Sequence, residues 1–398
     1  MAPDGNMQLE EVLADPNKVE ALLNSCYNNI PQKGYSYWFF EDLVVAASDD
    51  GYTSDEGQGV PTTAVYQDNN SAASHNIRDA HDGHGGNNTD YWSRSWQQIR
   101  LSSQFIELID RAAVHKESNR GRFKAEARVL RAFFYMELIK WFGKVPILDA
   151  TIPFDADFST LTRASVYDVA KFIVAECDAA LAEPNLPWRI DNEGDAMRTT
   201  KALALALKTK ALLFAASPLH NEGKDHWEEA YLTAKASVEQ LKSNGYALFT
   251  KSTQPGVYGN GAGAALRQLV TQNADYSATP RDKETIFQVR SGSLFIWHIG
   301  YIGSNMANTY KCGTSPTQEL VDAFETVDGQ PVLDLKQPYL DEKHLQPKYN
   351  TLNSTYDSAN PYANRDPRFY ETVLSNGSKI LFDNKTVTVE TFTGGAHA

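Results

Sequence analysis

Residues 126–146, EARVLRAFFYMELIKWFGKVP, set large apolar side chains on almost every face of one helical period. A surface helix carries a single apolar stripe, so a run apolar all round predicts a helix enclosed by neighbours. It stops at Gly143 and turns through Val145-Pro146. Along it, Ala125, Ala127 and Ala132 alternate with Val129, Leu130, Phe133, Phe134, Met136, Leu138 and Ile139. Small residues let helices approach and large ones fill the space between them. The pattern returns in ALALKTKALLFAAS (204–217), with Ala206 on Ala127, Ala211 on Ala132, and Leu212 and Leu213 on Phe133 and Phe134.

Each copy is followed by an amphipathic helix. The first, VYDVAKFIVAECDAALAEP, opens on a Ser165/Asp168 capping box and stops at Pro184; the second, HWEEAYLTAKASVEQLKSNG, closes at Gly245. Two such hairpins resemble tetratricopeptide-type units, which stack to bury one another's apolar faces. The spacing departs from a strict repeat, so the expectation is a degenerate array with insertions. Upstream, Asp15-Pro16 marks the cap and first position of a helix through NKVEALLNSCYNNI, ending before Pro31. YWSRSWQQIRLSSQFIELIDRAA predicts another, with Trp92, Trp96, Ile99, Phe105, Leu108 and Ile109 near helical spacing.

The remaining segments differ in texture. Residues 31–90 are aromatic, then acidic, then a Gly/Asn/Asp/His loop. Beyond residue 250 the chain is loop-rich, with ETIFQVR read as a short strand and KILFDNKTVTVETF as a hairpin. SPTQELVDAFE reads as a helix capped by Ser315, with Pro316 first and Gln318 closing the box. The fold class is therefore mainly α: tetratricopeptide-like hairpins in an α-α superhelix, with loop-rich insertions and a few short strands. We read residues 1–398 as one domain, with a scaffold over 15–250, an insertion over 31–90 and a loop-rich ligand-binding part over 251–398.

Composition narrows function mainly by exclusion. A net charge of −13 argues against nucleic acid, whose phosphates need a basic surface. Cys26, Cys177 and Cys312 are odd in number and far apart, which fits neither a disulfide framework nor a zinc site; Cys26 and Cys177 fall in helical patterns as small core residues. No apolar run is long enough to span a membrane. The opening MAPDGNMQLEEV shows no signal peptide, which suits a cytosolic protein or a mature chain without its leader.

The sequence has no G-x-S-x-G, H-E-x-x-H, C-x-x-C or Walker A motif, so neither an enzyme nor a cofactor is expected. GVYGNGAGAAL lacks the phosphate-loop lysine. His81 and His84 lie in a glycine-loosened loop and are read as surface rather than metal ligands. Asp49, Asp50, Asp55 and Glu56 miss the calcium-loop spacing; they are acceptors for sugar hydroxyls or are simply solvated. What remains is aromatic residues set in loops: Tyr35, Tyr37, Trp38, Tyr52, Trp297, Tyr301 and Tyr310. Flat apolar faces with polar tips, carried by loops, suit a binding surface. Trp38, inside YSYWFFEDLVV, is read as core.

Five segments, in order, resemble the SusD/RagB family: AEARVLRAFFYMELIKWFGKVPIL with TRASVYDVAKFIVAECDAAL, RTTKALALALKTKALLFAAS, SPTQELVDAFETVDGQPV, and NPYANRDPRFYETVLSNG. The resemblance covers roughly residues 10–380. It implies a non-enzymatic lipoprotein on the extracellular face of the outer membrane. Such a protein binds an oligosaccharide or polysaccharide and passes it to a SusC-like TonB-dependent transporter. The resemblance implies an N-terminal lipid anchor as its only membrane attachment, so the given start is expected to be a trimmed or partial one. Family members usually continue into a further helical hairpin, so a truncated C-terminus is expected. By segment, the resemblance places the ligand at Tyr35, Asp50, Tyr52, Trp297, Tyr301 and Tyr310, with His298 as a polar neighbour. The alternatives are a peptide-binding member of the same family, a glycoside hydrolase, or an intracellular helical-repeat scaffold.

Overall fold

The structure is a computed structural model and describes residues 8–30, 36–37, 41–42, 48–53, 91–153, 155–190, 192–195, 197–271, 283–288, 314–382 and 385–395. The chain forms two compact units interleaved in sequence. The first takes residues 1–32, 90–248 and 274–290; the second takes 33–89, 249–273 and 291–398.

In the first unit the helices are α1 (Leu9–Leu13), α2 (Pro16–Ser25), α3 (Tyr91–Leu108), α4 (Glu117–Phe142), α5 (Val166–Leu181), α6 (Lys201–Ala216) and α7 (Trp227–Ser243). From α3 to α7 each helix packs on the next, the successive stacking that the repeat predicts. The local signals hold. The Asp15 carboxylate accepts from the Asn17 N–H at 2.9 Å with Pro16 at the first position, and Ser165 Oγ accepts from the Asp168 N–H at 3.0 Å. Gly143 ends α4 at φ +65°, a conformation that side chains disfavour, with its N–H on the Ile139 carbonyl at 3.1 Å. One turn of helix, α1, precedes the Asp15 cap and was not expected.

The α4 helix is enclosed because α3 and α5 flank it. Ala127, Val129, Ala132, Tyr135, Leu138 and Ile139 are fully buried. Tyr135 also uses its polar tip: its hydroxyl accepts from the Leu148 N–H at 2.7 Å and holds the chain that leaves α4. The later copy is more one-sided. Ala211 is as buried as Ala132, but Leu213 is 53% exposed where Phe134 is buried. Cys26 and Cys177 are buried, as their helical settings suggested.

Charged groups inside this unit are paired. Glu126, with no exposure, accepts from Tyr27 Oη at 2.7 Å, Arg122 Nε at 2.8 Å and Arg198 Nη1 at 3.2 Å. Burial, reinforced by the Glu126 charge, pushes the Tyr27 phenol well above its ordinary pKa, so it stays a donor.

The second unit holds α8 (Pro255–Tyr258), α9 (Ala264–Thr271), α10 (Gln318–Ala323) and α11 (Pro367–Thr372). Its antiparallel strand pairs are β1 (Ser36–Tyr37) with β2 (Glu41–Asp42), β3 (Gly51–Thr53) with β4 (Thr314–Pro316), and β5 (Lys379–Phe382) with β6 (Lys385–Thr388). The last is the expected hairpin. A small core of Val321, Phe369 and Val373 sets α10 against α11, and Arg267 of α9 grips Glu371 of α11 through two bonds of 2.6 and 2.7 Å. Of ETIFQVR, residues 285–288 have no regular structure where a strand was expected, and residues 289–290 lie outside the described residues.

Candidate ligand-binding site

Five of the seven residues assigned from the sequence, Tyr35, Trp297, His298, Tyr301 and Tyr310, lie outside the described residues. So do Trp38, Asp55, Glu56, His81, His84 and Cys312. Asp50 and Tyr52 are described, and their setting joins two distant parts of the chain.

Tyr52 is the middle residue of β3, opposite Ser315 of β4, with Gly51 opposite Pro316 and Thr53 opposite Thr314. A three-residue pair is marginal alone, since short ladders need further contacts. Those contacts come from Thr317. Its N–H donates to the Asp50 carbonyl at 3.0 Å, and its hydroxyl donates to the Asp49 carbonyl. The same Oγ1 accepts from the Leu320 N–H at 3.2 Å and so caps α10. One threonine thus fastens the 48–53 segment to the start of a helix. On the other side, Ser48 Oγ accepts from the Asp50 N–H at 3.2 Å. Asp49 and Asp50 are exposed, so their carboxylates are available as acceptors.

Residues 48–53, within the segment 31–90, and residues 314–317, which follow the segment ending at residue 313, therefore meet at β3–β4. Sequence reasoning assigned both segments to the ligand surface but missed Thr317. It placed the cap at Ser315, because Ser-Pro-x-Gln satisfies the local capping pattern. Pairing with β3 instead takes residues 314–316 into a strand, and the helix starts after Thr317. Among the described residues no group of three His, Cys, Asp or Glu is placed to hold a metal, and no helix is long and apolar enough to cross a membrane.

Tetratricopeptide-like hairpins interrupted by long loop segments define a helical-repeat scaffold protein. A family model described as starch-binding and associating with the outer membrane matches residues 8–213, and the SusD family model matches 267–396. The chain belongs to the SusD/RagB family. Among solved structures, a SusD-like protein from Bacteroides fragilis NCTC 9343 is similar at TM-score 0.69 and 24% identity, covering 98% of this chain and 67% of its own. A SusD-like carbohydrate-binding protein from the same organism is similar at TM-score 0.59 and 19% identity, covering 94% and 62%. Surface glycan-binding protein A from Bacteroides fluxus is similar at TM-score 0.52 and 18% identity, covering 79% and 63%. This chain thus spans close to two thirds of the length of each of these structures. At these identities the likeness is one of fold. No curated protein matches the chain.

Proposed function

We propose that this protein captures oligosaccharides or polysaccharides at the outer face of the outer membrane, held there by a lipid anchor, and delivers them to a SusC-like TonB-dependent transporter without cleaving them. The observation that carries the reading is the family model over residues 8–213, whose description names starch binding and the outer membrane. The carbohydrate-binding and glycan-binding names of two structural neighbours support it. The ligand surface is assigned to Tyr35, Asp50, Tyr52, Trp297, His298, Tyr301 and Tyr310. Aromatic faces stack on the C–H faces of sugar rings, while Asp50 and His298 pair with hydroxyls. The β3–β4 joint supports this assignment by giving the two contributing segments a common anchor. The reading takes residues 1–398 as one functional domain.

Native affinity gels cast with a panel of polysaccharides test it, with wild type run beside Trp297→Ala. Retardation by one glycan that is lost in Trp297→Ala is the expected result. Retardation that survives the substitution removes the assigned site, and no retardation by any glycan removes the ligand class.

A further inference from the structure

Exposed tyrosine rings ordinarily sample several rotamers. Two in the second unit are packed against a buried aromatic ring. Tyr362 and Tyr370 are 41% and 46% exposed, and both lean on Phe369, which is fully buried. Tyr362 stacks on Phe369 with centroids 5.9 Å apart and planes 18° from parallel; Tyr370 meets it edge-on at 5.3 Å and 80°. The Tyr370 hydroxyl donates to the Tyr362 carbonyl at 2.8 Å and accepts from the Arg365 N–H at 3.1 Å. That tip closes the turn on itself, so the ring cannot fold away without breaking two bonds.

The foundation is equally rigid. Phe369 rests over the Arg365 guanidinium at 5.0 Å. Arg365 is buried and donates to the carbonyls of Pro361 at 2.8 Å, Phe324 at 2.7 Å and Val321. Between the tyrosines, exposed Asn364 adopts φ +52°, a left-handed conformation that Asn tolerates better than most residues. Polar groups stand close by in sequence: the Asp366–Arg368 pair at 2.8 Å, and the Asn364 amide. Binding to such rings forfeits little side-chain entropy, because the rings are already ordered. Tyrosine offers a broad apolar face at low entropic cost, which suits a stacking surface.

We propose that Tyr362 and Tyr370 form a second carbohydrate platform, built from a different segment than the loops joined at β3–β4. It takes the C–H faces of sugar rings, with hydroxyls reaching Asn364 and Asp366. The inference rests on the reading that the ligand is a glycan.

The test uses soluble starch, a β-glucan, a xylan and a pectin in native gels, with wild type, Trp297→Ala and Tyr362→Ala/Tyr370→Ala. A parallel hydroxyl-radical footprint of wild type, with and without the retarding polysaccharide, reads residues 361–372 and needs no variant to fold. Weakening of retardation in the tyrosine pair by about fivefold or more, with protection of 361–372 in wild type, is expected. Wild-type retardation with 361–372 unprotected overturns the platform and leaves the glycan reading intact. A wild type that no polysaccharide retards overturns both.

Discussion

The Arg131 guanidinium in α4 donates two hydrogen bonds, at 2.9 and 2.7 Å, to one carboxylate oxygen of Glu176 in α5, and both side chains are buried. The other carboxylate oxygen accepts from Arg128 at 2.6 Å. Arg131 also donates to Ser103 Oγ of α3 at 3.0 Å and to the Asp149 carbonyl at 2.8 Å. One side chain thus joins three consecutive helices of the stack and the chain that leaves α4.

Glu176→Ala strands a buried guanidinium and is expected to lower unfolding free energy by about 3–5 kcal/mol. Arg131→Met/Glu176→Leu removes both charges and is expected to cost far less, since apolar groups of similar volume replace a buried pair with little penalty. Denaturant titration of both variants decides: equal losses would mean that the pair itself, rather than an orphaned charge, carries the energy.

Asp322 is buried in the second unit, where it accepts from Gln318 Nε2 at 2.9 Å and Tyr339 Oη at 3.3 Å. Burial raises its pKa above the ordinary aspartate value, against the lowering effect of those two bonds. The folded state therefore holds this proton more tightly than the unfolded state. The stabilisation that follows is fully present below the ordinary pKa and is lost as pH rises through the raised one. Relative to wild type, Asp322→Asn is expected to be more stable at pH 7 than at pH 3, measured by urea midpoints at both. A relative stability that falls as pH rises would contradict the sign.

Thr317→Val removes the hydroxyl that caps α10 and bonds the Asp49 carbonyl. It is expected to cost about 1 kcal/mol as a lost cap and to speed amide exchange over residues 48–53 and 314–320. Thr317→Ser keeps the hydroxyl and is expected to restore slow exchange. Equal exchange in wild type and Thr317→Val would show that the β3–β4 ladder stands without the tie.

Burial pushes the Cys26 thiol up to about 12 and raises Cys177 further, with the Asp178 charge adding to the second. Thiolate, the reactive form, is negligible in both at neutral pH. Iodoacetamide with peptide mapping is expected to leave both unmodified in native protein and to alkylate both in urea. Rapid native labelling of Cys26 would contradict its burial.

Helix starts and stops were legible because cap chemistry is local: Asp15 with Pro16, Ser165, Gly143 and Gly245 each act within one turn. The α10 cap was not legible, although the same rules were applied. Ser315 fits the local pattern better than Thr317, but a strand more than 250 residues upstream in sequence claims residues 314–316. Residues 285–288 of ETIFQVR take no regular structure although their apolar and β-branched composition favours a strand, because such composition is a weak guide without its tertiary setting.

Helical period, small-residue spacing and the order of five segments were enough to establish a stacked-hairpin scaffold and its family, because those signals sit in neighbouring residues and repeat. They were silent on which polar side chains lie inside. Glu126, Arg131 and Glu176 are buried with partners: Glu176 of α5 pairs with Arg131 of α4, and Glu126 pairs with Arg122 one turn earlier in α4 and with Arg198 from the segment before α6. Nor could one-dimensional spacing show that residues 48–53 and 314–317 touch, or that Phe369 locks two exposed tyrosines. Contacts of that kind depend on where distant segments come to rest, and packing and hydrogen bonding across the fold set that position.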